Sequence, residues 1–192
     1  TKVPKFVILL SDGEPTYCYE GTAGVVSSSI PKVGGGDYGF RITEFNSKTI
    51  GSGSSTALKG GFGFSRYDYE HSISVGNQNK KVTDTILPTL SQAYLVKEGT
   101  PSKAGYEIYT VLVGEDSKTA QHVMKNIASE DEAGAEIKHY NTVSDSDLSK
   151  LGEMFRKFSQ EIIEKTNVWL VSDPIGDVAM GDHIDWADFT SA

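Results

Sequence analysis

The sequence predicts an α/β fold: a doubly wound, mostly parallel sheet with helices on both faces, carrying an inserted β-rich arm. Three observations lead there. Short apolar runs of strand length occur at residues 3–10 and 107–113, and helical periods lie between and after them. Residues 17–82 hold twelve of the twenty glycines, five of the nine tyrosines and four of the eight phenylalanines, with no helical period.

Each element follows from its own residues. Val3 to Leu10 is continuously apolar, as a parallel strand covered on both faces would be, and it ends in the turn residues Ser11-Asp12-Gly13. Glu107 to Val113 (EIYTVLV) has the same β-branched, apolar texture and stops at Gly114. Ile137 to Val143 gives a third, weaker strand. Asp84 can cap a helix whose apolar residues Ile86, Leu90 and Tyr94 step by four; Pro88 falls near its start and Gly99 ends it. A second helix begins at Asp116 or Ser117, with Ala120, Val123, Met124 and Ile127 on one face. A third spans Asp145 to Lys165, where Leu148, Leu151, Phe155, Phe158 and Ile162 form a stripe behind a Ser144-x-x-Asp147 cap. That stripe predicts packing on a sheet.

The arm, residues 17–82, is expected to be ordered β structure, because a structureless insertion of that length does not suit a compact domain. Short strands are predicted at Tyr38 to Phe45, Phe62 to Tyr69 and His71 to Val75, between glycine turns. After residue 166 the texture changes again. NVWLVSDPIGDVAMGDHIDW is split by Asp-Pro and Gly-Asp turns and reads as the start of a following β-rich domain over 167–192.

Composition narrows the function classes. The net charge of −8 repels phosphate backbones, and no basic stripe offers a nucleic-acid surface. No apolar run approaches the length of a membrane span. One cysteine excludes an internal disulfide and a cysteine zinc site, and His71, His122, His139 and His183 lack ligand spacing. Gly34-x-Gly36-x-x-Gly39 matches a dinucleotide fingerprint by letter, but the segment after it reads as a strand instead of a helix. No nucleophile elbow or phosphate loop occurs, so nothing points to an enzyme. The opening TKVPK lacks the features of a signal peptide, so an exported protein would carry its signal upstream.

In open α/β sheets ligands bind outside the carboxyl ends of the strands, and Ser11, Asp12, Gly13 and Glu14 fall at that end of the first strand. Asp12 offers a hard oxygen suited to Mg²⁺ or Ca²⁺, and Gly13 lets the chain turn away from it. Capping of a turn is the alternative role.

The phrase VILLSDGEPT, followed by GYEIYTVLVG, the helix HVMKNIAS and a last helix leading into VSDPIGD, resembles a von Willebrand factor type A domain. More narrowly, it is similar to the adhesive domain of pilus tip adhesins and related surface proteins of Gram-positive bacteria. The resemblance covers roughly residues 3–16 and 83–180, and over 17–82 it holds only in kind. It implies a Rossmann-like A domain, of which residues 1–166 are the C-terminal part, followed by an immunoglobulin-like domain entered through Asp173-Pro174-Ile175-Gly176-Asp177. It also implies a metal-ion-dependent adhesion site in which Asp12 is one ligand of a divalent cation, Mg²⁺ foremost, with Ca²⁺ or Mn²⁺ as alternatives. The family builds that site chiefly on an Asp-x-Ser-x-Ser turn and a later threonine that both precede the Asp-Gly strand. Neither has room before Asp12. Asp145-Ser146-Asp147-Leu148-Ser149 lacks the pattern, and Ser54-Ser55-Thr56 falls inside the arm. The remaining ligands, and the strand that pairs with the Asp-Gly strand, are therefore expected in a missing N-terminal half of the domain.

The function implied is cell adhesion at the bacterial surface, with a host extracellular-matrix or cell-surface protein and other pilins as partners. An intracellular A-domain protein that assembles complexes is the alternative. Glu14, Tyr17, Tyr67 and Tyr69 are candidate ligand-binding residues, since FGFSRYDYEH (62–71) brings tyrosines and an arginine together. Tyr17-Cys18-Tyr19 raises a separate possibility. Some surface adhesins join a cysteine flanked by aromatics to a glutamine as a thioester, with Gln92 as the candidate here. Against it stands Cys18 as a small apolar residue packed at the root of the arm.

Overall fold

A computed structural model describes residues 4–25, 27–58, 71–101, 103–114, 117–130, 139–144, 147 and 149–171. The chain divides into two compact units, Thr1–Leu148 and Ser149–Ala192. The first is a mixed α/β unit with two sheets. A parallel sheet is formed by β1 (Lys5–Ser11), β6 (Tyr106–Val113) and β7 (Tyr140–Val143), in the order β1-β6-β7. A mixed sheet has the order β3-β2-β4-β5, from β2 (Tyr17–Val25), β3 (Arg41–Gly51), β4 (His71–Val75) and β5 (Gln78–Val82). Among the described residues this unit has two helices, α1 (Ile86–Glu98) and α2 (Lys118–Ile127). No helix among the described residues is long and apolar enough to cross a membrane.

The parallel sheet is centred on β6, where Ile108, Tyr109, Thr110, Val111 and Leu112 are all buried. Its apolar run is the interior-strand pattern expected of EIYTVLV. β1 differs from that expectation. It pairs with β6 from Lys5↔Tyr106 to Ser11↔Leu112 and, among the described residues, with nothing on its other side. Its residues are half-buried except Leu10, which is 41% exposed, as suits a strand with one open edge.

α1 is flanked by both sheets, touching β2 and β3 on the one hand and β6 and α2 on the other. Its buried residues accordingly ring the helix instead of lining one stripe: Ile86, Leu87, Pro88, Leu90, Ser91 and Ala93. Asp84 starts it as the sequence predicts, its Oδ1 accepting from the amides of Ile86 and Leu87, both at 3.0 Å. Gly99 ends it, at φ 67°, donating its amide to Leu95 O. β3 is an outer strand of the mixed sheet, and α1 covers its edge: Ile42 N donates to the fully buried Ser91 Oγ at 3.0 Å. Arg41 pairs with Glu98 at the same junction. One hydrophobic core results, running from Cys18, Ile42, Ile50 and Val82 of the mixed sheet through Leu87 and Leu90 to Ile108, Val123 and Met124.

α2 buries Ala120, Val123, Met124 and Ile127, the four residues of its predicted face, and Ser117 caps it. Its carboxyl end is closed from α1, because Lys97 Nζ donates to the carbonyls of Asn126 (3.0 Å) and Ala128 (3.2 Å). At the amino-terminal end of the parallel sheet, buried His139 stacks on Tyr109 at 4.1 Å, with Nε2 2.6 Å from Glu107 Oε1.

The arm departs from its predicted strands in detail. His71–Val75 is β4 as expected, but the strand predicted at Tyr38 to Phe45 starts later and runs to Gly51, because the Gly34–Gly39 turn keeps residues 31–39 in a tight loop closed by a Pro31–Asp37 bridge. β2 and β5 were not predicted. Phe62 to Tyr69 lies outside the described residues. The glycine-rich motif feeds β3 with no helix after it, so its dinucleotide reading fails.

The second unit contains α3 (Ser149–Val171). It begins four residues later than predicted and runs five residues beyond the expected change of texture at 166, through Asn167–Val171. Helix formation propagates more easily than it starts, so an established helix carries the β-branched NVWLV along. Residues 172–192, expected to open an immunoglobulin-like domain, lie outside the described residues.

Candidate functional site

The three parallel strands end together at Ser11, Val113 and Val143, and the acidic turn leaves from the first of these. Ser11 folds the turn on itself: its Oγ accepts from Gly13 N and donates to Gly13 O, both at 3.3 Å. Glu14 is taken up by α2. Ser117 Oγ donates to Glu14 Oε1 while accepting the amides of Thr119 (3.1 Å) and Ala120 (3.3 Å), so the carboxylate meets the positive end of that helix through its cap. Pro15 O accepts from the buried Thr85 Oγ1 at the start of α1. The turn is thus pinned to the beginnings of both helices.

Asp12 alone is left facing solvent, with no hydrogen bond or ion pair among the described residues. A hard cation takes about six oxygens, of which one carboxylate supplies one or two. Among the described residues no group of three or more acidic, histidine or cysteine side chains is placed to hold a metal ion. Asp12 by itself could supply only one or two of these oxygens, and a divalent ion there would need other ligands. Glu115, Asp116 and Asp145 follow β6 and β7 in sequence and lie outside the described residues. His122, with Nε2 2.9 Å from Pro31 O, and His139, against Glu107, occupy separate places.

Tyr17-Cys18-Tyr19 is strand alternation in β2. Tyr17 and Tyr19 are 55% and 49% exposed, whereas Cys18, paired with Ile50, faces the core. Burial, with a smaller contribution from the Asp84 charge, pushes the Cys18 thiol up to about 12. Gln92 is half-buried on α1. These facts support the packed-cysteine reading, since the thiolate is the reactive form. Of the candidate ligand-binding residues, Glu14 is engaged by Ser117, Tyr17 is exposed over Gly53, and Tyr67 and Tyr69 lie outside the described residues.

One feature escaped the sequence. Where the arm joins the helices there is a cleft of about 570 Å³, lined by Lys32 from the glycine-rich loop, Lys80 and Lys81 from β5, and Tyr38, Thr83 and Asp84. The lysine pair in QNKKV was its one visible sign, and nothing in the sequence joins it to Lys32. No protein family, curated protein or solved structure matches the chain.

Proposed function

We propose that the chain is part of a cell-surface adhesion module, the C-terminal part of an A-type domain at the tip of a Gram-positive pilus. On this reading it binds a host protein through a divalent cation held partly by Asp12, through the inserted arm, or through both. The observation that carries the reading is the parallel order β1-β6-β7, sequential and running one way, with exposed Asp12 at its carboxyl end and a whole mixed sheet inserted between β1 and β6. An A domain would place its central strand beside the Asp-Gly strand. β1 has its second edge open among the described residues, which leaves room for that neighbour and for the metal ligands it brings.

The acidity of the chain favours this route over bulk electrostatics. With a net charge of −8, an acidic host ligand gains most from a fixed cation and little from the surrounding field. The test is binding of the intact adhesin to immobilised extracellular-matrix proteins, with and without EDTA. Chelation is expected to abolish metal-route binding, and Asp12→Ala to do the same without chelation. Binding that persists unchanged through both treatments sinks the metal route and leaves the arm.

A further inference from the structure

We infer that the lysine-lined cleft at the root of the arm is a binding site for a small anionic, hydroxyl-bearing ligand, a sugar unit carrying a carboxylate or sulfate. The inference stands apart from the metal reading and uses different residues.

Charge is the first argument. The chain is acidic overall, yet lysines from two distant stretches, Lys32 and the neighbours Lys80 and Lys81, line one cleft. Lining the same cleft is a single carboxylate, Asp84, and its oxygens are already committed. Oδ1 accepts two α1 amides and Oδ2 accepts the Tyr38 hydroxyl at 2.7 Å. The helix start and the phenol take up those oxygens, and neither Lys32 nor Lys80 is ion-paired to Asp84 among the described residues.

Lys80 is the second argument. It lies across from Ile73 and two residues before Val82, both buried, so strand alternation turns it to the inner face of the mixed sheet. There it is half-buried, with no ion pair or hydrogen bond among the described residues. An inward lysine on an outer strand such as β5 also blocks edge-to-edge association. That role accounts for one lysine in β5. It does not account for Lys32 meeting it across a cleft, with Nζ 5.0 Å above the Tyr38 ring.

The remaining lining sets the ligand class. Thr56, Thr83 and Thr119 also line the cleft, and their hydroxyls have no hydrogen-bond partner among the described residues. Neutral hydroxyls beside cations suit a ligand that presents hydroxyls beside an anion. The volume falls within the roughly 300–1,000 Å³ of small-ligand sites, so the cleft suits one or two sugar rings and excludes a folded partner.

The test is titration of the full chain, followed by NMR or calorimetry, with glucuronate, galactose 6-sulfate, glucose and inorganic sulfate, each repeated in EDTA. Glucuronate or galactose 6-sulfate is expected to bind, and the two arms distinguish a carboxylate from a sulfate source. Lys32→Ala and Lys80→Ala should each weaken that binding about tenfold, the size of one charged hydrogen bond. Lys80→Arg should retain it, Lys125→Ala on exposed α2 surface should leave it unchanged, and added salt should weaken it. Circular dichroism of each variant establishes that it is folded. Four results overturn the proposal: no binding of either acidic sugar at millimolar concentration, equal binding of glucose or of inorganic sulfate, indifference to both lysine substitutions in folded variants, or loss of binding in EDTA.

Discussion

The Tyr38 hydroxyl donates to Asp84 Oδ2 at 2.7 Å, while the other oxygen of the same carboxylate receives the first amides of α1. One side chain therefore ties the glycine-rich loop of the arm to the start of a core helix. Asp84→Ala removes both attachments, and urea unfolding should show a loss of about 2–3 kcal/mol, from a cap and a part-buried hydrogen bond together. Tyr38→Phe should cost about 1 kcal/mol. Because the residues share an oxygen, the double variant should lose less than the two single losses added. Strict additivity would mean that the contact carries no coupling.

Cys18 should be inert until the fold opens. In native protein at pH 8 a disulfide reagent is expected to label it slowly, and in urea at once; fast native labelling would contradict its place in the core. The sign of its pH effect follows from the raised thiol. An unfolded chain releases this proton near the ordinary value of 9.0, whereas the folded chain holds it to about 12. The stability that the neutral thiol contributes is present below pH 9 and lost as pH rises from 9 towards 12. Tyr38, also raised above its ordinary 10.0 by burial, then by the Asp84 charge and hydrogen bond, adds loss in the same direction above pH 10. Cys18→Ala should flatten the first part of the alkaline decline, as read from urea midpoints across that range.

The helices were legible because capping and period are local signals: Asp84, Ser117 and Gly99 act where the sequence places them. β2 was hidden because its pairing slips near Gly21 and Ala23, so YCYEGTAGV alternates cleanly only over Tyr17–Tyr19. β5 was hidden because QNKKV belongs to an exposed hairpin and has only Val82 fully buried. The site divides the same way. Asp12 could be placed by the rule of strand ends, while the lysine cleft exists only once a loop and a hairpin distant in sequence have folded against each other.

Gly105 should tolerate no side chain. A β-carbon built there would overlap the carbonyl of Lys97, which is backbone and cannot swing aside. Gly105→Ala is expected to cost several kcal/mol, on the order of 2–4 for overpacking against fixed atoms. Gly152→Ala, on α3 with open space around it, should be neutral or stabilise by up to about 1 kcal/mol. Thermal denaturation of both variants compares the two sites. Equal effects would refute the close approach.

Lys97 closes the last turn of α2 from a neighbouring helix, so its loss should be felt in α2. Lys97→Met retains the stem and removes the donor, and should cost about 1–2 kcal/mol. Amide exchange should speed up most near Ala128 and Asn126. A uniform change across the chain would argue against a local cap.

The insertion of the mixed sheet between β1 and β6 also sets how far along the chain the parallel sheet must reach to close. Lys5 must find Tyr106 across roughly a hundred residues, and closing so long a loop costs about 4 kcal/mol, with about 0.6 recovered for each halving of the free chain. The β2–β3 and β4–β5 pairings are shorter-ranged, and β3 and Tyr38 are bonded to α1 and its cap through Ser91 and Asp84. An arm folded on α1 would shorten that search, so refolding is expected to order the arm before β1 joins β6. Asp12, just past the tip of β1, is then placed only once β1 has joined β6.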